Sequence, residues 1–540
     1  MPKSRKLIDN RGMATFIVLI IMVMMTIIGI AIVRMSNDEI TLAGNEKHEM
    51  SSFYAAEAGL ERASAAIQTQ YEASGGPPST LPQGNETIND CVAAYATVDN
   101  GAATVQPLTK GVLAGLNALV KTFTITSIGI SSIDRSQVVL TQEFNCDLVP
   151  IFQFAVFYGN DLEIAPGPDM TLIGRVHSNG NLYLQSNNNL YMDSYVTASG
   201  QIIHGRKGPG GTSYGDVMIK DADGNYQNML ANGTWLDASA THWYDSAAVR
   251  WKGRVQDSAF GQGELNLPLT GSSDPHKLIE RATGNPDSYE SLAEFKIIDG
   301  VAYAKIAGVW TNVNAALPSG TVSARTFYDA REAKTVNATD LDISKFRGCA
   351  YFPTNGVVYT SDHRSGFRAT RLVSGDSLGK ALSIVCENPL YIKGNFNSKN
   401  KKPAFVAGDA VTFLSTNWAD TNSTKSLNSR VASNTTTNCS FLTGNLNTTS
   451  GTYNGGLENL PRFLEKWDSK TFKWRGSIVN LWNSLQAVGL WVYGGYYTAP
   501  VRDWAYDTDL DNPNNLPPET PMVRIFQRMG WQEQYIGYNH

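Results

Sequence analysis

Three aspartates at alternate positions, Asp507, Asp509 and Asp511 in DTDLDNPNN, form the densest set of potential metal ligands in this sequence. Alternate carboxylates in a tight loop can converge their oxygens on a calcium ion. The stretch lacks the glycine at the sixth place and the glutamate at the twelfth that an EF-hand loop requires, so that arrangement is excluded. An acidic, asparagine-rich linker is the other reading of the same residues. Asp221 and Asp223, followed by Gly224, form a weaker version. The seven histidines are scattered and make no H-E-x-x-H, and His242 and Asp245 in THWYDS are a lone pair in a loop. No G-x-S-x-G, Walker loop or dinucleotide fingerprint stands between a strand and a helix. Asp161 with Glu163, and Asp340 with Asp342, would each share one face of a strand. Such a pair could do acid–base work on a glycan, and is also a common solvated edge.

Aromatic residues are the other concentration of binding chemistry. Six of the eleven tryptophans (467, 474, 482, 491, 504 and 531) fall in the last 80 residues, and GLWVYGGYYTAP (489–500) gathers several rings. Exposed rings stack on sugars or dock partners, whereas buried rings fill a core. Trp474 and Trp482 lie on strand-like runs and are expected inside. Tyr496, Tyr497 and Trp504 lie in expected loops and are the surface binding candidates.

These residues need a scaffold of strands and turns. The 540 residues carry a net charge of −5 and 48 glycines, a composition that suits several domains and favours turns over helical bundles. No domain-sized basic stripe is present, which excludes nucleic acid as the main partner. Five cysteines (91, 146, 349, 386 and 439) form no C-x-x-C. Short apolar runs separated by Asn, Ser and Gly recur at 173–205, 388–397, 402–415, 439–447 and 472–482. Runs that cannot bury a face alone must stack, either as a β-solenoid or as irregular stacked sheets. Residues 206–345 read as a loop-rich insertion between the two parts of this head, 151–205 and 346–540. Within it, 328–346 reads as a surface helix or an extended segment.

The N-terminus differs in kind. Residues 13–33 carry no charge, long enough as a helix to span the roughly 30 Å of a bilayer core. Lys3, Arg5, Lys6 and Arg11 precede them, so the basic flank stays cytoplasmic and the bulk lies across the inner membrane. No small-residue cleavage pattern follows the run, as a secretory signal would require. No proline intervenes between Pro2 and Pro77. Apolar or small residues at Met50, Phe53, Ala56, Leu60, Ala63, Ile67 and Tyr71 mark one helix face. The pattern predicts one helix over 13–71, with Gly44 and Asn45 as a point of weakness. Segments 91–98, 121–130 and 135–144 read as strands, with Asn100 and Gly101 as a hairpin signal.

A basic leader, a glycine, an apolar run that becomes an amphipathic helix, and then strands: this order resembles the type IV pilin family. RGMATFIVLI with FYAAEAGLERA (53–63) is most similar to the PilX-type minor pilins, whose near relatives are GspK-like pseudopilins of type II secretion. The resemblance implies an α+β fold: a long N-terminal pilin-like helix, transmembrane then amphipathic, and a small antiparallel β module over 73–150, here followed by a large mainly-β head. It implies that a prepilin peptidase removes the leader 1–12 between Gly12 and Met13, that Met13 becomes N-methylated, and that the helix 13–72 serves first as an anchor and later as the packing element of a filament. Its partners would be other pilins and minor pilins, the peptidase, the inner membrane, and a tip adhesin or a host or surface glycan. Most pilins carry glutamate at the fifth mature position, where this chain has Ile17. A subunit with no neighbour ahead of it can dispense with that carboxylate, which fits an initiating or tip subunit of the pilus surface. The resemblance implies no catalytic residues and no required cofactor, calcium being the one ion the Asp507 loop could hold. A pseudopilin at the tip of a secretion system and a membrane-anchored β-helix enzyme acting on glycans are the alternatives. In an oxidising periplasm, Cys91 and Cys146, which bracket the strands, are expected to form a disulfide, two buried thiols being the alternative.

Overall fold

The computed structural model describes residues 11–74, 76–208, 213–449 and 453–536. Most of the basic leader lies outside them. One helix, α1 (Arg11–Ser74), runs unbroken through Gly44 and Asn45 for 64 residues, roughly 95 Å at about 1.5 Å per residue. Its two halves meet different surroundings. The apolar first half is exposed along its length, whereas Ala56, Leu60, Ala63, Ile67 and Tyr71 are buried on one face. That face packs on Phe123, Ile125, Val138, Leu140 and Phe144 of an antiparallel sheet. Gly129 lets the two layers close up, since a Cβ there would overlap the Ser52 carbonyl.

The sheet contains β1 (Gln83–Ile88), β2 (Cys91–Asp99), β3 (Thr104–Pro107), β4 (Asn117–Ser131) and β5 (Gln137–Pro150). β2 and β3 both pair with β4, one beyond the other on the same side. Asn100 and Gly101 therefore interrupt a line of pairing rather than reverse it into a hairpin. The outer neighbour of β5 comes from the far end of the chain. Met522–Ile536 pairs antiparallel with β5 at thirteen positions, from Met522 opposite Pro150 to Ile536 opposite Gln137. The module is thus 73–150 together with 522–536, and everything between is an insertion into one sheet. Arg524 donates to the carbonyls of Tyr71 and Glu72, unpaired acceptors at the end of α1, and Arg528 pairs with Glu61.

Cys91 and Cys146 are free thiols, which corrects the expected disulfide. Cys91 stands opposite Ser131 and Cys146 opposite Lys121, near the two ends of β4. At roughly 3.3 Å per residue they are about 30 Å apart, far beyond the reach of a disulfide.

The head is built of stacked parallel rungs. Its first rung holds β6 (Phe154–Tyr158), β7 (Leu162–Ile164) and β8 (Met170–Leu172). The second holds β9 (Arg175–Ser178), β10 (Leu182–Leu184) and β11 (Asn189–Met192), and the third β12 (Val196–Ala198), β13 (Ile202–His204) and β14 (Asp216–Lys220). Each strand pairs in parallel with the third one along. Five later strands (Val357–Ser361, Leu382–Cys386, Ala404–Gly408, Ser440–Thr443 and Ile478–Asn480) pair in parallel in the same way, and the last of them docks on β6. The two runs share one twelve-stranded sheet and one core. The proposed insertion 206–345 is trimmed at both ends, since β14 belongs to the third rung and Lys334–Asp342 pairs in parallel with Phe367–Val373. The segment 328–346 contributes to a hairpin, Val322–Asp329 against Lys334–Asp342, and to a short helix, Ile343–Phe346.

Asp147 is a poorly placed charge of the module. It is fully buried on β5 opposite Val120, and neither carboxylate oxygen finds a donor among the described residues. Burial pushes its pKa up to about 7. The unfolded chain releases this proton near pH 4, so stability falls as pH rises from about 4 to about 7 and then levels. Asp147→Asn is expected to raise the stability of the full chain in detergent by about 2–4 kcal/mol at pH 8 and to change it little at pH 3.5. Thermal unfolding across that range checks this, and a gain independent of pH would refute the assignment.

Candidate functional site

The N-terminal half of α1 is the largest exposed apolar surface among the described residues. An 18-residue window of it is apolar enough to cross a membrane, and none of that window is buried. Gly12 and Met13 sit in its first turn, Met13 being 60% exposed and Gly12 facing open space where a side chain would stand. Ile17 is likewise exposed. The rod hides its few polar groups. The Thr26 hydroxyl donates to the Met22 carbonyl at 2.8 Å, four residues back, which leaves it no need of water. Such a surface is stable only in lipid or against other apolar helices.

The head separates the candidate residues that the sequence grouped. Asp507, Asp509 and Asp511 do not converge. The Lys401 ammonium sits between the first two, 2.8 Å from Asp507 and 2.6 Å from Asp509, while Asp511 accepts from the Tyr506 hydroxyl at 2.7 Å. A lysine occupies the position a calcium ion would need, and among the described residues no group of three or more His, Cys, Asp or Glu could hold a metal. The calcium assignment is therefore corrected to an ion-paired turn. Asp340 is tied to the buried Arg371, Asp161 pairs with Lys207, and Glu163 accepts from the Tyr453 hydroxyl at 2.7 Å. These carboxylates hold coils together. His242 is the N-cap of a short helix, Trp243–Trp251, with no hydrogen bond from its side chain to that helix.

The aromatic expectations divide. Trp474 and Trp482 are buried in the core as expected. Tyr496 and Tyr497 are buried too, which corrects their assignment as surface binders, and Trp504 is half-buried against Phe472 and Trp474. The two tyrosines fasten a loop. The Tyr496 hydroxyl accepts from the Val492 amide at 2.8 Å, and the Tyr497 hydroxyl accepts from the Trp491 indole at 2.7 Å. The surface residues are those they fasten, Val488, Leu490, Val492 and Tyr493. Within 489–500 the outward side chains are thus Leu490, Val492 and Tyr493, whereas Tyr496 and Tyr497 are turned in.

Buried charge holds the same loop from below. Glu332 and Arg462 pair at 2.8 Å, both almost fully buried, and Glu332 also accepts from the Gly489 amide at 2.7 Å. Asp409, wholly buried, accepts from the amides of Leu485, Gln486 and Ala487. Burial pushes its pKa up, but the His276 imidazole 3.7 Å away and these three amides outweigh it and hold the carboxyl below its ordinary range.

Residues 11–61 match the PilX N-terminal family. No curated protein matches the chain. Among solved structures, that of the competence-associated pilin ComZ from Thermus thermophilus aligns over 91% of this chain and 98% of its own at 12% identity, with a TM-score of 0.31, too loose a superposition to bear on the fold.

Proposed function

On the premise that residues 11–61 make this chain type IV pilin-like, we propose that it is a minor pilin, placed at or near the tip of a filament. Prepilin peptidase cuts between Gly12 and Met13, and Met13 is then methylated. The apolar half of α1 holds the subunit in the inner membrane until it packs among the helices of other pilins. The observation that carries this reading is a bare apolar rod continuous with the helix of a folded module. Two features support a terminal position. Ile17 removes the carboxylate that would seek a neighbour's terminal amine, and the head, which we read as a β-solenoid, is too bulky to repeat along a shaft. The head makes the contacts with surfaces or tip partners, and catalysis is not its role.

Mass spectrometry of the mature N-terminus tests the processing. A methylated chain beginning at Met13 is expected, with Gly12→Val leaving the leader in place. Deleting the gene is expected to reduce surface filaments severalfold. A mature chain beginning beyond residue 33, or unchanged filament number and adhesion on deletion, would overturn the reading.

A further inference from the structure

One edge of the N-terminal sheet stands open. Met522–Ile536 is the last strand of that sheet, and its inner side pairs with β5. In an antiparallel strand the peptide groups of successive residues point to alternate sides. The Arg524 amide points away from β5 and donates to the Asn266 carbonyl at 2.9 Å. Arg524 stands opposite Leu148, so the even-numbered residues of β5 bond to β4 and the odd-numbered ones to this strand. A bulge between Arg528 and Trp531 shifts the register, after which Gln532 and Gln534 stand opposite Thr141 and Val139 and bond inward. Trp531, Glu533 and Tyr535 therefore turn their amides and carbonyls outward, and no hydrogen bond reaches those peptide groups among the described residues. The side chains beside this edge are equally unmet. Met50 and Tyr54 of α1, with Trp531 and Tyr535 of the strand, are between 52% and 57% exposed. Met50, Tyr54 and Tyr535 line a cleft of about 510 Å³ between α1 and the strand, together with Glu46, Glu49 and Glu533. Further along the same strand Arg528 pairs with Glu61, but none of these three carboxylates has a cationic partner among the described residues.

Each feature specifies part of a partner. A row of outward amides and carbonyls is matched by another extended backbone, whereas a helix keeps its own backbone groups and cannot pair with them. Carboxylates set among rings call for lysine or arginine, whose stems lie along the rings while the cations meet the carboxylates. The open stretch Trp531–Ile536 sets a strand of about six residues. We propose that the outer edge of Trp531–Ile536 is a strand-addition site, which takes an extended segment of a neighbouring subunit bearing lysine or arginine. Glu46 lies about 20 Å along α1 from Val33, where the uncharged run ends, at about 1.5 Å per residue. A second chain anchored in the same bilayer can therefore reach the cleft. The inference rests on the minor-pilin reading only for the identity of that neighbour.

The test uses the full chain in a lipid nanodisc and two synthetic peptides, TKVKVKT and its acidic counterpart TEVEVET. Hydrogen exchange at the amides of Trp531, Glu533 and Tyr535 is followed as each peptide is added. The basic peptide at millimolar concentration is expected to slow all three at least tenfold, and the acidic one to leave them unchanged. A basic peptide N-methylated at every lysine and valine has lost the donors that pairing needs and is expected to protect nothing. Glu49→Lys combined with Glu533→Lys is expected to transfer the protection to the acidic peptide. Both side chains are exposed, and unchanged exchange along β5 checks that the variant folds. In cells, a photoreactive phenylalanine in place of Trp531 is expected to capture another pilin. Protection by neither peptide, equal protection by all three, or capture of lipid alone overturns the proposal. Filament counts separate the two readings. If filaments depend on the chain but no peptide pairs, the site alone falls. If the basic peptide pairs with a chain whose deletion leaves filaments unchanged, the minor-pilin reading alone falls.

Discussion

A chain ending before Met522 is expected to lose its N-terminal module while keeping most of its head. The missing strand supplies thirteen pairings to β5, the buried Val523, and Phe526 stacked on Phe144 with ring centres 5.5 Å apart. It also carries Arg524, which caps α1, and Arg528, which pairs with Glu61. Burying one valine contributes about 1.5 kcal/mol or more, and the aromatic pair and cap each add about 1 kcal/mol. Together with the exposed edge of β5, the loss approaches about 5 kcal/mol, on the order of the whole stability of a small module. Hydrogen exchange would show it directly. Residues 137–150 and 50–74 should lose protection, while 357–480 retain theirs. Unchanged protection of β5 would mean that the pairing contributes nothing.

The second large effect is expected from Arg462→Met. Methionine fills much of the volume of the arginine stem but leaves Glu332 buried without the cation that faces it at 2.8 Å. Breaking a buried pair by removing one partner costs about 3–5 kcal/mol, because the remaining charge is stranded. Adding Glu332→Gln should recover a good part of that, so the double variant would be more stable than Arg462→Met alone. The loop should report the damage locally, since both residues bond to it, and the amides of Ala487 and Gly489 should exchange faster. A single variant within about 1 kcal/mol of the parent would show that Arg331 or water takes over the charge.

How much of this could be read from sequence depended on how far apart the partners lie along the chain. The helix was legible because its signal is local: an uncharged run followed by a three-four spacing from Phe53 to Tyr71, observed as one element from Arg11 to Ser74. β2 and β4 were legible from their β-branched residues, although β4 and β5 extend further than the runs suggest. The rung-like runs at 388–397 and 402–415 hold paired strands of the stack. The last strand was not legible as part of the module, because nothing in MVRIFQRMGW points to a partner more than 370 positions earlier. The same distance effect undid the site assignments. Lys401, which neutralises Asp507 and Asp509, lies about a hundred residues upstream. Tyr496 and Tyr497 look exposed until the carboxylates of Asp409 and Glu332 are seen to draw their loop down. Cys91 and Cys146 bracket the strands in sequence but sit near opposite ends of β4 in space.

Because the head enters and leaves the sheet at adjacent positions, Pro150 beside Met522, any tension on it is divided between two covalent threads attached at the same end of neighbouring strands. Both are drawn the same way, so the bonds between them are not slid past one another. The strain passes instead into the long β4–β5 ladder, which resists in shear with all its bonds at once, and through Arg524 and Arg528 into the helix. A subunit wired like this is suited to being dragged by its outermost part.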